Sequence, residues 1–297
     1  MKQKLETLVN CPSCKAENFA FHAEVKDYSV SQEVFQLQQC KQCELIFTNP
    51  RPAPEHLGPY YESEDYISHT NAKKGLFSQL YQMARSKALK DKLNLLKNYH
   101  AQGKVLDVGC GTGHFLSVCK KDGWEVYGVE PSPAAAKIAK EENGIESVSE
   151  LSQMDGQGPF HIISLWHVME HLSDLEGNIQ AMKSALLPDG RMIVAVPNVE
   201  APERNEYGEQ WAAYDVPRHL YHFSKSSMNR LMENNGLEIE HIHPMKMDAY
   251  YVSLLSEKII HGKMRWVKAA LSGWKSNRRA KASMNYSSLI YVVKKKN

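Results

Sequence analysis

The sequence lacks the features that would commit it to a membrane or to a polyanion. No run of about 18 consecutive apolar residues occurs, which argues against a transmembrane helix. Charge of one sign is also missing: 36 Lys and Arg stand against 34 Asp and Glu, so no overall field demands nucleic acid. The opening "MKQKLETLVNCPSC" carries basic residues but no continuous apolar core, so no secretory signal is expected. The expected compartment is the cytoplasm, where thiols stay reduced. No internal repeat or low-complexity segment is visible. One absence is local: after Glu257 there is no acidic residue at all, which leaves the C-terminal segment strongly basic.

What is present suits one large domain with a smaller unit attached, since the chain has 297 residues of which 42% are hydrophobic. Four of its six cysteines form two knuckles, Cys11-x-x-Cys14 and Cys40-x-x-Cys43. Each short gap lets both thiolates reach one ion at about 2.3 Å, so the four suit a structural tetrahedral zinc site. A redox dithiol is the alternative, but it would use one pair beside a βαβ unit. Lys15 and Glu44 follow the second cysteine of each pair, where many knuckles carry glycine. "EVFQLQQC" and "LIFT" read as short strands, so residues 1–50 are taken as a zinc ribbon. The prolines of "TNPRPAPEHLGP" mark its boundary, and residues 51–100 read as a linker and helical cover. In that cover Phe77, Leu80, Tyr81, Ala84 and Ala88 make one apolar stripe, and Leu89, Leu93 and Leu96 another.

From residue 101 to 297 strands and helices alternate, the signature of an α/β doubly wound parallel sheet. Ser132 before Pro133 reads as a helix cap, and Asn143-Gly144 and Asn235-Gly236 as helix ends. "LEIEHIH" and "SSLIYVV" read as two final strands. The turn "VLDVGCGTGHF" follows the first strand of this region, with Gly109, Gly111 and Gly113 spaced G-x-G-x-G. That is one residue short of the dinucleotide fingerprint. Asp107, two residues before it, would repel a pyrophosphate but attract a cationic amino group. Glu130 ends the next strand, where a carboxylate can accept both hydroxyls of a ribose. Ribose, a cationic amino acid and no phosphate together describe S-adenosylmethionine.

"VLDVGCGTGHFL", "VYGVEPS", "FHIISLWHVMEHL" and "GRMIVAVPN", in this order, resemble the class I S-adenosylmethionine-dependent methyltransferases. The resemblance covers residues 100–297 and implies a seven-stranded, mostly parallel, Rossmann-like sheet. It also implies that Asp107, Gly109, Cys110, Gly111 and Gly113 line the methionine half of the cofactor. Glu130 would hold the ribose, Pro131 would lie against the adenosine, and Ser149, Glu150 and Leu151 would border the adenine. Leu165, Trp166 and His167 would flank the transferring methyl. The cysteine pairs with "FTNPRP" and "YYESEDYISH" resemble a bacterial group with a zinc ribbon ahead of this core. Some of its relatives methylate nucleotide-linked sugars.

Methyl transfer from a sulfonium needs positioning, worth roughly 7–11 kcal/mol, and a base where the acceptor must lose a proton. Of thirteen histidines, His219 and His167 are the candidates, and His171 is expected inside a helix with a structural role. "GEQWAAYDVPRHLYHFSK" should lie over the pocket mouth, with Trp211, Tyr214, Arg218 and His222 stacking on and clamping an anionic small molecule. Packing of a lid is the alternative. Tyr60, Tyr61, Tyr66 and His69 are expected to cover the cofactor. Ile260, Met264, Val267, Leu271 and Trp274 follow helical spacing among basic residues. Residues 258–281 therefore read as an amphipathic helix that contacts a membrane surface, meets a phosphorylated substrate or packs on the core. The competing functions are an RNA methyltransferase gripping RNA through the ribbon, and a non-catalytic cofactor-binding module. "SLWHVMEH" is not the Asn/Asp-Pro-Pro-Tyr/Phe box of base-amino methylation, which weighs against RNA.

Overall fold

The computed structural model describes residues 5–61 and 76–296, with side chains from Arg85 onward in the first long helix. Five strands come first: β1 (Leu5–Glu6), β2 (Phe19–Lys26), β3 (Val34–Cys40), β4 (Ile46–Thr48) and β5 (Arg51–Pro52). Helix α1 (Leu76–Lys97) leads into β6 (Lys104–Val108), α2 (His114–Lys121), β7 (Glu125–Val129), α3 (Pro133–Asn143) and β8 (Ser147–Val148). Then come β9 (Phe160–Trp166), α4 (Leu175–Ala185), β10 (Leu186–Pro197), α5 (Pro202–Tyr207), β11 (Tyr221–His222) and α6 (Lys225–Asn234). The chain ends with β12 (Leu237–Met245), α7 (Asp248–His261), α8 (Trp266–Ser283) and β13 (Ser288–Lys295).

The main sheet has seven strands in the order β12-β13-β10-β9-β6-β7-β8. β13 runs antiparallel to both its neighbours, and the remaining pairs are parallel. Alternate residues feed two different cores, as the two-residue period of a strand requires. Leu106, Ile163 and Val194 join one buried cluster, and Val105, Ile162 and Ile193 another. Apolar side chains on both faces of a strand mean the sheet is covered on both sides.

Local signals set the helix ends. Ser132 Oγ accepts from Ala135 N at the start of α3, where Pro133 occupies the first turn. Gly144, at φ 64°, closes that helix, and Gly236, at φ 68°, follows the end of α6. Leu93 and Leu96 of α1 are buried as expected, whereas Ala88 is exposed; Phe77, Leu80, Tyr81 and Ala84 lie outside the described side chains.

Two expectations need correction. His171 lies in a short 3-10 turn, Met169–His171, and the next helix begins only at Leu175. Residues 258–281 are two helices, because Gly262 ends α7 in a left-handed conformation at φ 68°. The sheet that follows the cysteine knuckles also takes in one strand from far along the chain. β11 pairs antiparallel with β4, Tyr221 opposite Phe47, to make a four-stranded sheet in the order β11-β4-β3-β2. Phe35, Leu37, Ile46 and Tyr60 share a buried cluster with Trp211, Tyr214 and Val216. Ribbon and main domain therefore interlock through one continuous interior.

Candidate active site

The carboxyl ends of β6, β7 and β9 converge on the glycine turn. Gly109, Gly111 and Gly113 all have positive φ, at 71°, 55° and 75°. A Cβ at Gly109 would stand 2.4 Å from Val168 Cγ2, while one at Gly111 would meet nothing within 4 Å. The first glycine thus permits close packing, and the second leaves bare backbone facing open space. A Cβ at Gly128 would approach Cys110 Sγ to 2.8 Å, so Cys110 is a packed wall residue.

Asp107 is buried at the end of β6 and accepts a hydrogen bond from Ser164 Oγ at 2.6 Å. Burial pushes its carboxyl up to about 7, against the opposing pull of the Ser164 bond and the Lys92 charge. Lys92 of α1 holds its Nζ 4.2 Å from the centre of the Trp166 ring. Burial lowers its own pKa. Trp166 Nε1 is buried with no hydrogen-bond partner among the described residues. Glu130 accepts from Gly111 N and from Ser132 N, both at 2.8 Å, which locks its carboxylate onto the glycine turn. Leu165 is fully buried, and Pro131, Ser149 and Glu150 are exposed. A buried acid that favours a cationic partner, bare backbone and an orphan indole N–H fit S-adenosylmethionine.

Beyond Trp166 lies a group of titratable side chains. His167, in the left-handed region at φ 58°, stands between two acids. Its Nδ1 is 3.4 Å from Glu170 and its Nε2 3.1 Å from Asp248. Burial alone would lower its pKa, but the bonds to Asp248 and Glu170 raise it to about 10, so it carries a proton at neutral pH. His171 Nδ1 lies 3.0 Å from the Arg218 carbonyl, and His219 Nδ1 lies 2.9 Å from that of Ala213. A carbonyl only accepts, so each Nδ1 donates and Nε2 is the nitrogen left to gain or lose a proton; that of His219 lies 3.7 Å from an Asp215 carboxylate oxygen. Burial and the neighbouring His219 draw His171 down to about 4. Glu170, His171 and His219 bring donor atoms within 4.8 Å of one another, a spacing that a cation could bridge.

The segment after β10 differs from its expected role. Trp211, Tyr214, Arg218 and His222 are all buried. Trp211 packs edge-on to Tyr214, which does the same to His222. Tyr214 Oη accepts from Arg204 Nε at 2.7 Å. Arg218 donates to the Asp215 carboxylate through Nε at 3.0 Å and through Nη2, and to the Tyr60 carbonyl at 3.1 Å. The guanidinium expected to clamp a substrate is thus engaged inside the protein. These aromatics seat the ribbon on the main domain, as in the lid-packing alternative. Tyr60 packs on Phe35 and bonds Glu33, away from the cleft, whereas the Tyr61 hydroxyl reaches His171 at 3.1 Å. Tyr66 and His69 lie outside the described residues. Lys92, Ser164, Glu170 and Asp248 were not anticipated; the lone acid inside the apolar run "HVMEHL" was the available signal for Glu170.

The sulfurs of Cys11, Cys14, Cys40 and Cys43 all lie within 4.8 Å of one another. Cys11 and Cys43 are 3.5 Å apart, as are Cys14 and Cys40. Four thiolates on one tetrahedral ion would stand roughly 3.8 Å apart, so the cluster fits such an ion. Each knuckle repeats the same turn: Cys11 N donates to Ala16 O, and Cys40 N to Leu45 O. Lys15 and Glu44, both at φ 64°, adopt the left-handed conformation that glycine usually supplies. Sharing of a proton between Cys11 and Cys43 draws Cys43 down and pushes Cys11 up, and burial pushes Cys14 up, so these thiols would have to lose their protons to an incoming metal ion.

A family model described as "Methyltransferase domain" matches residues 81–242. The ubiquinone biosynthesis O-methyltransferase of Xanthomonas euvesicatoria pv. vesicatoria (strain 85-10) is 26% identical over 160 residues, 49% of this chain and 66% of the relative. The chain thus spans slightly less than two thirds of that relative. Burkholderia thailandensis 1,6-didemethyltoxoflavin-N1-methyltransferase, solved with its substrate and S-adenosylhomocysteine, superposes with a TM-score of 0.52 at 15% identity. That match covers 87% of this chain and 99% of the other. Magnesium protoporphyrin IX methyltransferase from Synechocystis PCC 6803, with bound S-adenosylhomocysteine, gives 0.51 at 13% identity, covering 79% and 96%.

Proposed function

Since the chain belongs to the methyltransferase-domain family, we propose that it moves a methyl group from S-adenosylmethionine to a small-molecule acceptor. The observation that carries this reading is the placement of the Asp107 and Glu130 carboxyl groups around left-handed glycine backbone, where two acids suit a cationic, hydroxyl-bearing ligand better than a pyrophosphate. When bound, the cofactor supplies an activated sulfonium methyl, so the residues of the chain position and deprotonate. Asp107 holds the amino group of the methionine half, and Gly109, Cys110, Gly111 and Gly113 wall that half. Glu130, already oriented by two backbone N–H groups, keeps lone pairs for the ribose hydroxyls. Pro131 lies against the adenosine, and Leu165 and Trp166 border the methyl.

His219 is the proposed base: its Nδ1 donates to the Ala213 carbonyl, and its Nε2, 3.7 Å from an Asp215 carboxylate oxygen, is the nitrogen that takes the proton. His167 is protonated and steadied by two acids, so it orients the acceptor rather than deprotonating it. With Arg218 paired internally, Lys92 is the cation at this end of the cleft that could meet an anionic acceptor such as a phosphorylated or nucleotide-linked sugar. The small-molecule acceptors named for the similar proteins support this class over RNA. The four ribbon cysteines hold a structural zinc ion. The test is transfer of a labelled methyl from S-adenosylmethionine to fractionated cell extract. Label should appear in the low-mass fraction. Label confined to RNA would mean the RNA reading, and none anywhere would mean a non-catalytic module.

A further inference from the structure

Helix α8 is packed the wrong way round for a globular helix. A surface helix normally buries its bulky apolar stripe and exposes its small and polar residues. Here the buried face is Ala269, Ser272, Gly273, Ser276 and Ala280. A Cβ at Gly273 would stand 2.7 Å from Tyr250 Cδ1 and 2.9 Å from Tyr250 Cα, so α8 lies directly against α7 through its smallest side chains. Val267, Leu271 and Trp274, at i, i+4 and i+7, point away from that face and are 77%, 51% and 51% exposed. Met264 and Ile260, in and before the connecting turn, are 42% and 36% exposed. The core reading of this stripe is therefore overturned.

The charge around the stripe has one sign. Lys263, Lys275, Arg278, Arg279 and Lys281 are exposed, and none forms an ion pair among the described residues. The acids near this surface are already engaged: Glu206 with Lys268 and Ser272, and Glu257 with Arg265 and His261. Arg278 lies over the Trp274 ring, 5.5 Å from its centre, so an apolar anchor and a cation share one spot.

We propose that this face of α8 and the preceding turn is a docking surface for an anionic lipid bilayer, with Val267, Leu271 and Trp274 entering the headgroup–acyl boundary. An exposed apolar ridge bordered by cations is the chemistry that such an interface selects. Charge complementarity names the occupant, because the ridge alone would suit any apolar partner, whereas five exposed cations with no ion pair among the described residues select an anionic one. Insertion is shallow, since among the described residues no helix is long and apolar enough to cross a membrane.

The experiment is co-sedimentation of the full chain with vesicles of equal parts phosphatidylcholine and phosphatidylglycerol, and with vesicles of phosphatidylcholine alone. Binding should require the anionic lipid and weaken as salt rises. Leu271→Glu with Trp274→Glu should abolish it. Removing Lys275, Arg278 and Arg279 by alanine substitution should weaken it about fivefold per charge. All five side chains are exposed, so the melting temperature serves as a folding control. Absence of vesicle binding, or binding that the Glu pair does not change, overturns the proposal. So does a self-associated species that the Glu pair dissolves while vesicles are ignored, for the ridge would then join two copies of this chain.

Discussion

Asp107 is the residue whose ionisation the site depends on. Its carboxyl stays protonated until about pH 7 because burial disfavours the anion. An unfolded chain ionises it at 3.8, so without ligand this group lowers stability as pH rises from there to about 7. A cationic ligand reverses the preference by stabilising the anion. Affinity for S-adenosylhomocysteine should therefore fall about tenfold per pH unit below the folded pKa and level off above it. Titration calorimetry across that range checks this, and Asp107→Asn should weaken binding and flatten the profile. A wild-type profile that is already flat would remove Asp107 from the amino-group role. His219→Ala should slow methyl transfer by about 10²–10⁴-fold with cofactor affinity nearly unchanged. Near-normal turnover would exclude His219 as base. Asp107, Glu130 and the glycines could be read in the sequence because each sits at a fixed offset from a strand end. Lys92 could not, since one lysine on a long helix looks like any solvated cation until the helix is placed over Trp166. Arg218 misled for the same reason: its partner, Asp215, is visible as a neighbour, but burial of the pair is not.

Among the elements, the ribbon shows most clearly what sequence pattern can and cannot carry. The two C-x-x-C spacings announced the cysteine cluster, and the paired left-handed turns at Lys15 and Glu44 complete it without glycine. Nothing local announced β11, because a two-residue strand has no periodicity to detect. The apolar spacing through 260–274 matches one continuous helix, but Gly262 ends α7 in the left-handed conformation and α8 starts at Trp266, so the stripe is shared between two helices. His171 was misassigned because its 3-10 turn has the residue content of a helix start. Binding of a structural ion contributes about 10 kcal/mol or more in small zinc modules. Treatment with a strong chelator should therefore release close to one zinc per chain, measured colorimetrically, and lower the melting temperature by several degrees. Retention of the full melting temperature after metal loss would show that packing against the main domain alone holds the ribbon.

At the scale of the whole molecule, the N-terminal strands and the main sheet share buried clusters. Leu220 N donates to the Glu170 carbonyl while Thr48 N donates to the Leu220 carbonyl, so the ribbon is tied to the turn that carries His167, Glu170 and His171. Thr48 Oγ1 also donates to the His219 carbonyl at 3.0 Å. The sheet that carries the four cysteines is thus hydrogen-bonded to the segment that bears His167, Glu170, His171 and His219. The most direct measurement of the cofactor site is a crystal structure of the full chain grown with S-adenosylhomocysteine. The account predicts density with the amino group on Asp107, the ribose hydroxyls on Glu130 and the sulfur beside Trp166. Density for a dinucleotide with its pyrophosphate over Gly111 and Gly113, or a cleft that stays empty at saturating ligand, would contradict it.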